Sequence, residues 1–136
     1  MNEDASETPD RLREHPTQRF RAEQRKIDLN VATDALRAEG RSGSRGQRQT
    51  TLYKDGDVTL ALFLFDSGGG LAQHKAAGTV SIHALDGRLR ITAGGEAYAL
   101  AAGQLVVLAP GVPHDVTADE PSRMLLTVHL VPAGQS

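Results

Sequence analysis

The chain has 136 residues, of which 39% are hydrophobic and 24% charged, with a formal net charge of −2. That allows one domain with a modest core and excludes a global basic field that would draw nucleic acid. The absence of cysteine excludes disulfides, thiolate metal sites and a cysteine nucleophile.

The opening MNEDASETPD is acidic and lacks the apolar stretch of a secretory leader. With no cysteine to oxidise, a reducing, cytoplasmic setting is expected. The longest apolar run, Val58 to Phe65, falls far short of the roughly 20 residues of a membrane helix, so no membrane partner is expected.

Residues 1–25 are crowded with charge, carry Pro9 and Pro16, and show no apolar periodicity. They cannot repay the entropy of ordering and are expected to form a flexible arm. Residues 26–48 then read as a docking segment. Ile27, Leu29 and Val31 suit a short extended piece, Thr33 an N-cap with Asp34 in the first turn, and Gly40 the end of a two-turn helix. The stretch Arg41-Ser42-Gly43-Ser44-Arg45-Gly46-Gln47-Arg48 reads as a solvated linker rather than an anion site, because no aromatic interleaves its arginines.

From residue 49 to 132 the chain is strand-forming. Thr50 to Lys54 leads through Asp55-Gly56 into Val58 to Phe65, and Ser67-Gly68-Gly69-Gly70 breaks that strand. Leu71 to Ala76 and Thr79 to Leu85 follow, then Asp86-Gly87. Arg88 to Ala93 pairs through Gly94-Gly95 with Glu96 to Leu100, and Gln104 to Leu108, Pro113 to Thr117 and Arg123 to Val131 complete the set. Many short strands with regular turn signals predict an all-β sandwich or barrel.

Two strands, Leu60-Ala61-Leu62-Phe63-Leu64-Phe65 and Leu105-Val106-Val107-Leu108, are apolar at successive positions, which predicts burial of both faces. A barrel interior takes one face. The other must meet a second sheet, the N-terminal segment or a partner subunit, and a homodimer is expected on that ground.

Four histidines fall in the strand region: His74, His83, His114 and His129. His74 follows a glycine-rich turn and is read as starting a strand, and His114 follows Ala109-Pro110-Gly111-Val112-Pro113, so both suit a barrel mouth. If Val80, Ile82 and Ala84 point inward, His83 points outward. The parity of His129, within Leu125-Leu126-Thr127-Val128-His129-Leu130, stays open. Gly68-Gly69-Gly70 lacks the features of a phosphate loop, no Gly-x-Ser-x-Gly elbow surrounds Ser67 or Ser81, and Asp115 should face away from His114. Tyr98, Phe63 and Phe65 are read as core residues.

Over residues 58 to 130 the sequence resembles the cupin superfamily. Gly68, five residues, then His74 matches the start of the family's first motif; Ala76 stands at its second histidine, Val80 at its glutamate, and Gly87 closes it. In the second motif Gly103, Gly111 and His114 match, while Ala109 replaces a proline and Ala118 an asparagine. The resemblance implies a jelly-roll barrel, the double-stranded β-helix, with a short N-terminal helical arm. It also implies a site where other members hold iron, manganese, nickel, copper or zinc with three histidines and a glutamate.

Here only His74 and His114 remain, with His129 a further candidate ligand, and two imidazoles rarely hold a divalent ion firmly. The expected function is binding of a small, largely apolar or mildly anionic ligand by His74 and His114, with Ala76 and Val80 as apolar neighbours, in a sensing or accessory role. The alternatives are a metal-dependent enzyme of dioxygenase or isomerase type using the same histidines, and a structural or stress-response dimer with a filled barrel.

Overall fold

The computed structural model describes residues 24–40 and 43–130. The flexible arm expected over 1–25 and the linker residues Arg41 and Ser42 lie almost wholly outside these. Helix α1 spans Leu29–Arg37, and a single 3-10 turn, Ser44–Gly46, precedes the strands. These are β1 (Gln47–Asp55), β2 (Val58–Phe65), β3 (Gly70–His74), β4 (Gly78–Asp86), β5 (Arg88–Ala93), β6 (Glu96–Ala101), β7 (Leu105–Leu108), β8 (His114–Ala118) and β9 (Ser122–Leu130).

The strands form two antiparallel sheets: five strands in the order β1-β2-β9-β4-β7 and four in the order β3-β8-β5-β6. Their facing sides enclose a core built from both, including Phe63 and Phe65 of β2, Ile82 of β4, Leu89 and Ile91 of β5, Val116 of β8 and Met124 of β9. The alternation is clear on β4, where Val80, Ile82 and Ala84 are buried while Ser81 and His83 are only half-buried. Phe63 and Phe65 stack with ring centroids 5.9 Å apart, as core residues. Tyr98, expected beside them in the core, is 40% exposed on β6, the outermost strand of its sheet.

Turn chemistry sets the strand ends. Gly94 and Gly95 both take positive φ, as a tight hairpin of primed type requires, and join β5 to β6. Gly87 has φ +84, and a Cβ there would lie 2.1 Å from the Ser122 hydroxyl. That hydroxyl is buried, accepts from the Arg88 amide at 3.0 Å and donates to the Glu120 carbonyl at 2.7 Å, so it cannot step aside cheaply. The glycine that closes the first motif is therefore required by geometry.

The N-terminal segment departs from expectation. The N-cap is Asp28, whose carboxylate accepts from the Asn30 and Val31 amides at 2.9 and 3.1 Å. Thr33 is not a cap: it lies inside the helix, buried, donating to the Leu29 carbonyl at 2.7 Å. Leu29 and Val31 are helical, not extended. The reason is packing: Leu29, Ala32 and Leu36 share one helical face and bury against Leu52, Leu62 and Leu64 on the outside of the five-stranded sheet. Arg48 closes the other end of the helix, its guanidinium donating to the carbonyls of Arg37 and Gly40 at 3.2 and 2.7 Å.

Candidate functional site

The two motif histidines meet on adjacent strands of the four-stranded sheet. His74 stands opposite His114 in the β3–β8 pairing, after an irregularity between Leu71 and His74, and their ring centroids are 4.3 Å apart with planes tilted by 60°. His74 ends β3 rather than starting a strand, because the chain leaves the sheet at Lys75. His114 begins β8 and is held from both sides, pairing also with Ala93 of β5. The inner residue is 2% exposed, whereas His74 is open to solvent.

Both rings are fixed in the same way. Nδ1 of His74 lies 2.8 Å from the Ala72 carbonyl and Nδ1 of His114 lies 2.9 Å from the Val112 carbonyl, each two residues earlier in the chain. A carbonyl oxygen can only accept, so each Nδ1 carries the hydrogen and each neutral ring keeps its lone pair on Nε2. These two backbone oxygens are part of the site, and sequence reasoning missed them because any residue type could supply them.

Ala76 packs against the main core, and its carbonyl accepts from the Gly111 amide at 2.9 Å, which ties the β3–β4 connection to the loop preceding His114. Val80 is buried in the same core with Ala93 and Val116, and Val112 packs against it. Positions 76 and 80, where the resemblance would place a histidine and a glutamate, supply apolar side chains and no ligand atom.

The other candidates lie elsewhere. His129 pairs with Thr79 and Val58, and its neighbour Val128 packs toward the core beside Val80, so the imidazole of His129 belongs to the outer face of the five-stranded sheet. His83 shares that outer face. Asp115 alternates away from His114, as expected, and lines a separate groove of about 330 Å³ with Arg45, Gln73 and Thr117. Gln104 caps its own turn, accepting from the Ala101 amide at 2.8 Å. The Tyr53 phenol is held above its ordinary pKa, by desolvation first and then by Asp55, but it lies on β1 and not in the four-stranded sheet that carries the histidines.

Among the described residues no group of three or more histidine, cysteine, aspartate or glutamate side chains could hold a metal ion. Two neutral imidazoles without an anionic ligand fall below the three or four protein donors of a stable site, so these residues do not fit a tightly held transition metal.

A comparison with curated proteins gives no match. Among solved structures, the conserved SPY1581 protein of unknown function from Streptococcus pyogenes is 27% identical, with 84% of this chain and 94% of that one covered at a TM-score of 0.63. A cupin superfamily protein from Desulfitobacterium hafniense is 17% identical over 82% of this chain and 96% of its own, with a TM-score of 0.66. Salicylate 1,2-dioxygenase from Pseudoaminobacter salicylatoxidans is 16% identical over 76% of this chain, which spans 32% of the enzyme, again at 0.66. The last two likenesses concern the fold alone. The cupin domain family matches residues 61–129, from the middle of β2 almost to the end of β9. The chain is a member of the cupin family.

Proposed function

We propose that this cupin domain binds a small organic ligand with an apolar body, anchored by His74 and His114. The observation that carries the reading is the pair of rings 4.3 Å apart, each with Nδ1 committed to a backbone carbonyl. What remains on the neutral pair is two acceptors and no donor. The ligand favoured is therefore one that gives a hydroxyl or N–H to Nε2 while Ala76 and its apolar neighbours cover the rest. A mildly anionic ligand is the second class to be tested. Sensing or an accessory binding role suits such a site, since neither ring has a carboxylate partner to make it a poised base.

The test is a thermal-shift panel of small hydroxylated, amide and carboxylate compounds on the full chain, repeated on His74→Ala and His114→Ala. A true ligand at a hundredfold excess over its dissociation constant adds about 2.7 kcal/mol, enough to raise the melting temperature by about 10 °C. That rise should vanish in His114→Ala. If no compound shifts melting in the wild type but not in the variants, the ligand reading fails.

Metal analysis of the same preparations decides the competing enzyme reading. Salicylate 1,2-dioxygenase shares the fold. Stoichiometric metal that is lost in both histidine variants would favour chemistry of that general kind and displace the binding role.

A further inference from the structure

Among the described residues Arg45 alone, apart from glycines, takes a left-handed backbone angle, with φ 59 and ψ 26. Glycine reaches that angle without the side-chain crowding that arginine suffers there. Nor can the turn relax easily. The Gly46 carbonyl accepts from the Asp66 amide at 2.9 Å, and a Cβ on Gly69 would meet the Arg45 carbonyl oxygen at 3.0 Å. A strained residue on a fixed turn points to a use for its side chain.

That use lies in the groove of about 330 Å³ on the outer face of β3 and β8, which Arg45 lines with Gln73, Asp115 and Thr117. Gly70, opposite Thr117, leaves its floor bare. Among the described residues none of these four side chains has a hydrogen bond or ion pair. Beside Thr117 in register, Arg90 closes on Asp119 at 2.8 Å. Arg45 and Asp115 instead present opposite charges to one groove without meeting.

A lone anion drawn to Arg45 would meet the Asp115 carboxylate, and a lone cation drawn to Asp115 would meet the guanidinium. Backbone amides do not help an anion either: those of Gly68 and Gly69 already donate to the carbonyls of Ala118 and Asp66, both at 2.8 Å. A molecule carrying both charges satisfies both residues. We infer that this groove binds a small amino acid, its carboxylate on Arg45 and its ammonium on Asp115. The Thr117 hydroxyl and the Gln73 amide can each donate and accept, so they serve either end. Leu71, half-buried in the groove wall, favours a short aliphatic body between the two charges. The groove is independent of the histidine pair, because Asp115 and Thr117 face the side of the sheet opposite His114.

The test is an NMR titration of the full chain with glycine, alanine and γ-aminobutyrate, with acetate and methylamine as singly charged controls. At least one amino acid should bind with a dissociation constant of about 1 mM, in keeping with so few atoms, and should move the amides of Gly68–Gln73 and Asp115–Thr117. Arg45→Gly and Asp115→Asn should each weaken it at least about fivefold, the upper end for an exposed ion pair, and the controls should be weaker by a similar factor. Arg45→Gly should melt at or above the wild type, because it removes a strained side chain and no bond. Asp115→Asn keeps the shape of the strand, so if one variant folds poorly the other decides. Acetate bound as tightly as the amino acids, and lost with Arg45 alone, would make this a simple anion site and overturn the inference. Binding indifferent to both variants overturns it too, as does a response confined to the imidazole signals of His74 and His114. So does a wild type that none of the three amino acids perturbs at many times that concentration.

Discussion

Strands β2 and β7 carry the same signature, consecutive apolar residues on both faces, yet their second faces meet different fates. On β2, Leu62 and Leu64 are sealed beneath Leu36 of the helix. On β7, Leu105 and Val107 lie open. A two-sided apolar strand thus announces a second layer without saying who supplies it. For β2 the supplier is local in sequence, only some twenty residues upstream, and the cap, helix and strand face agree with one another. For β7 no described element of the chain reaches across.

This contrast can be broken by substitution. The largest effect is expected at Leu62→Ala, which removes a wholly buried side chain between helix and sheet and should cost about 2–5 kcal/mol in urea unfolding. Gly87→Ala comes next, at about 1–3 kcal/mol, because it forces a side chain onto Ser122 at a left-handed backbone angle. Asp28→Ala, which removes the helix cap, should cost about 1 kcal/mol and lower the protection of α1 amides before those of the barrel. Val107→Ser should change the stability of the monomer by less than about 0.5 kcal/mol. A large loss at Val107 measured at low concentration would mean that β7 is covered within one chain, and the distinction between the two strands would collapse.

Much of the barrel is legible in the sequence because its turns are written in residues with few alternatives. Val58–Phe65 and Arg88–Ala93 have the ends expected from Asp55-Gly56, Gly87 and Gly94-Gly95. The parity of β4 follows from alternation. The start of the helix is not legible, since Ile27, Leu29 and Val31 suit a strand as well as a helix until the sheet face that Ile27 and Leu29 cover is known; Val31 stays exposed. Nor is the orientation of His129, because Leu125 breaks the alternation of Leu126, Val128 and Leu130 with Thr127 and His129, and the pairing of Val128 with Val80 fixes it. Motif spacing anticipates the convergence of His74 and His114. It says nothing of their shared tautomer, which depends on two carbonyl groups that no side chain announces.

The histidine pair is also mechanically lopsided. His114 sits on an interior strand clamped between two neighbours, whereas His74 ends β3, the border strand of its sheet. One ring is an anvil and the other a jaw, each bolted to its own strand by its Nδ1 bond. Whatever bridges them must fasten that border strand to the rest of the sheet. Slower hydrogen exchange along Gly70–His74 would then register occupancy even when the chemistry of the occupant is silent.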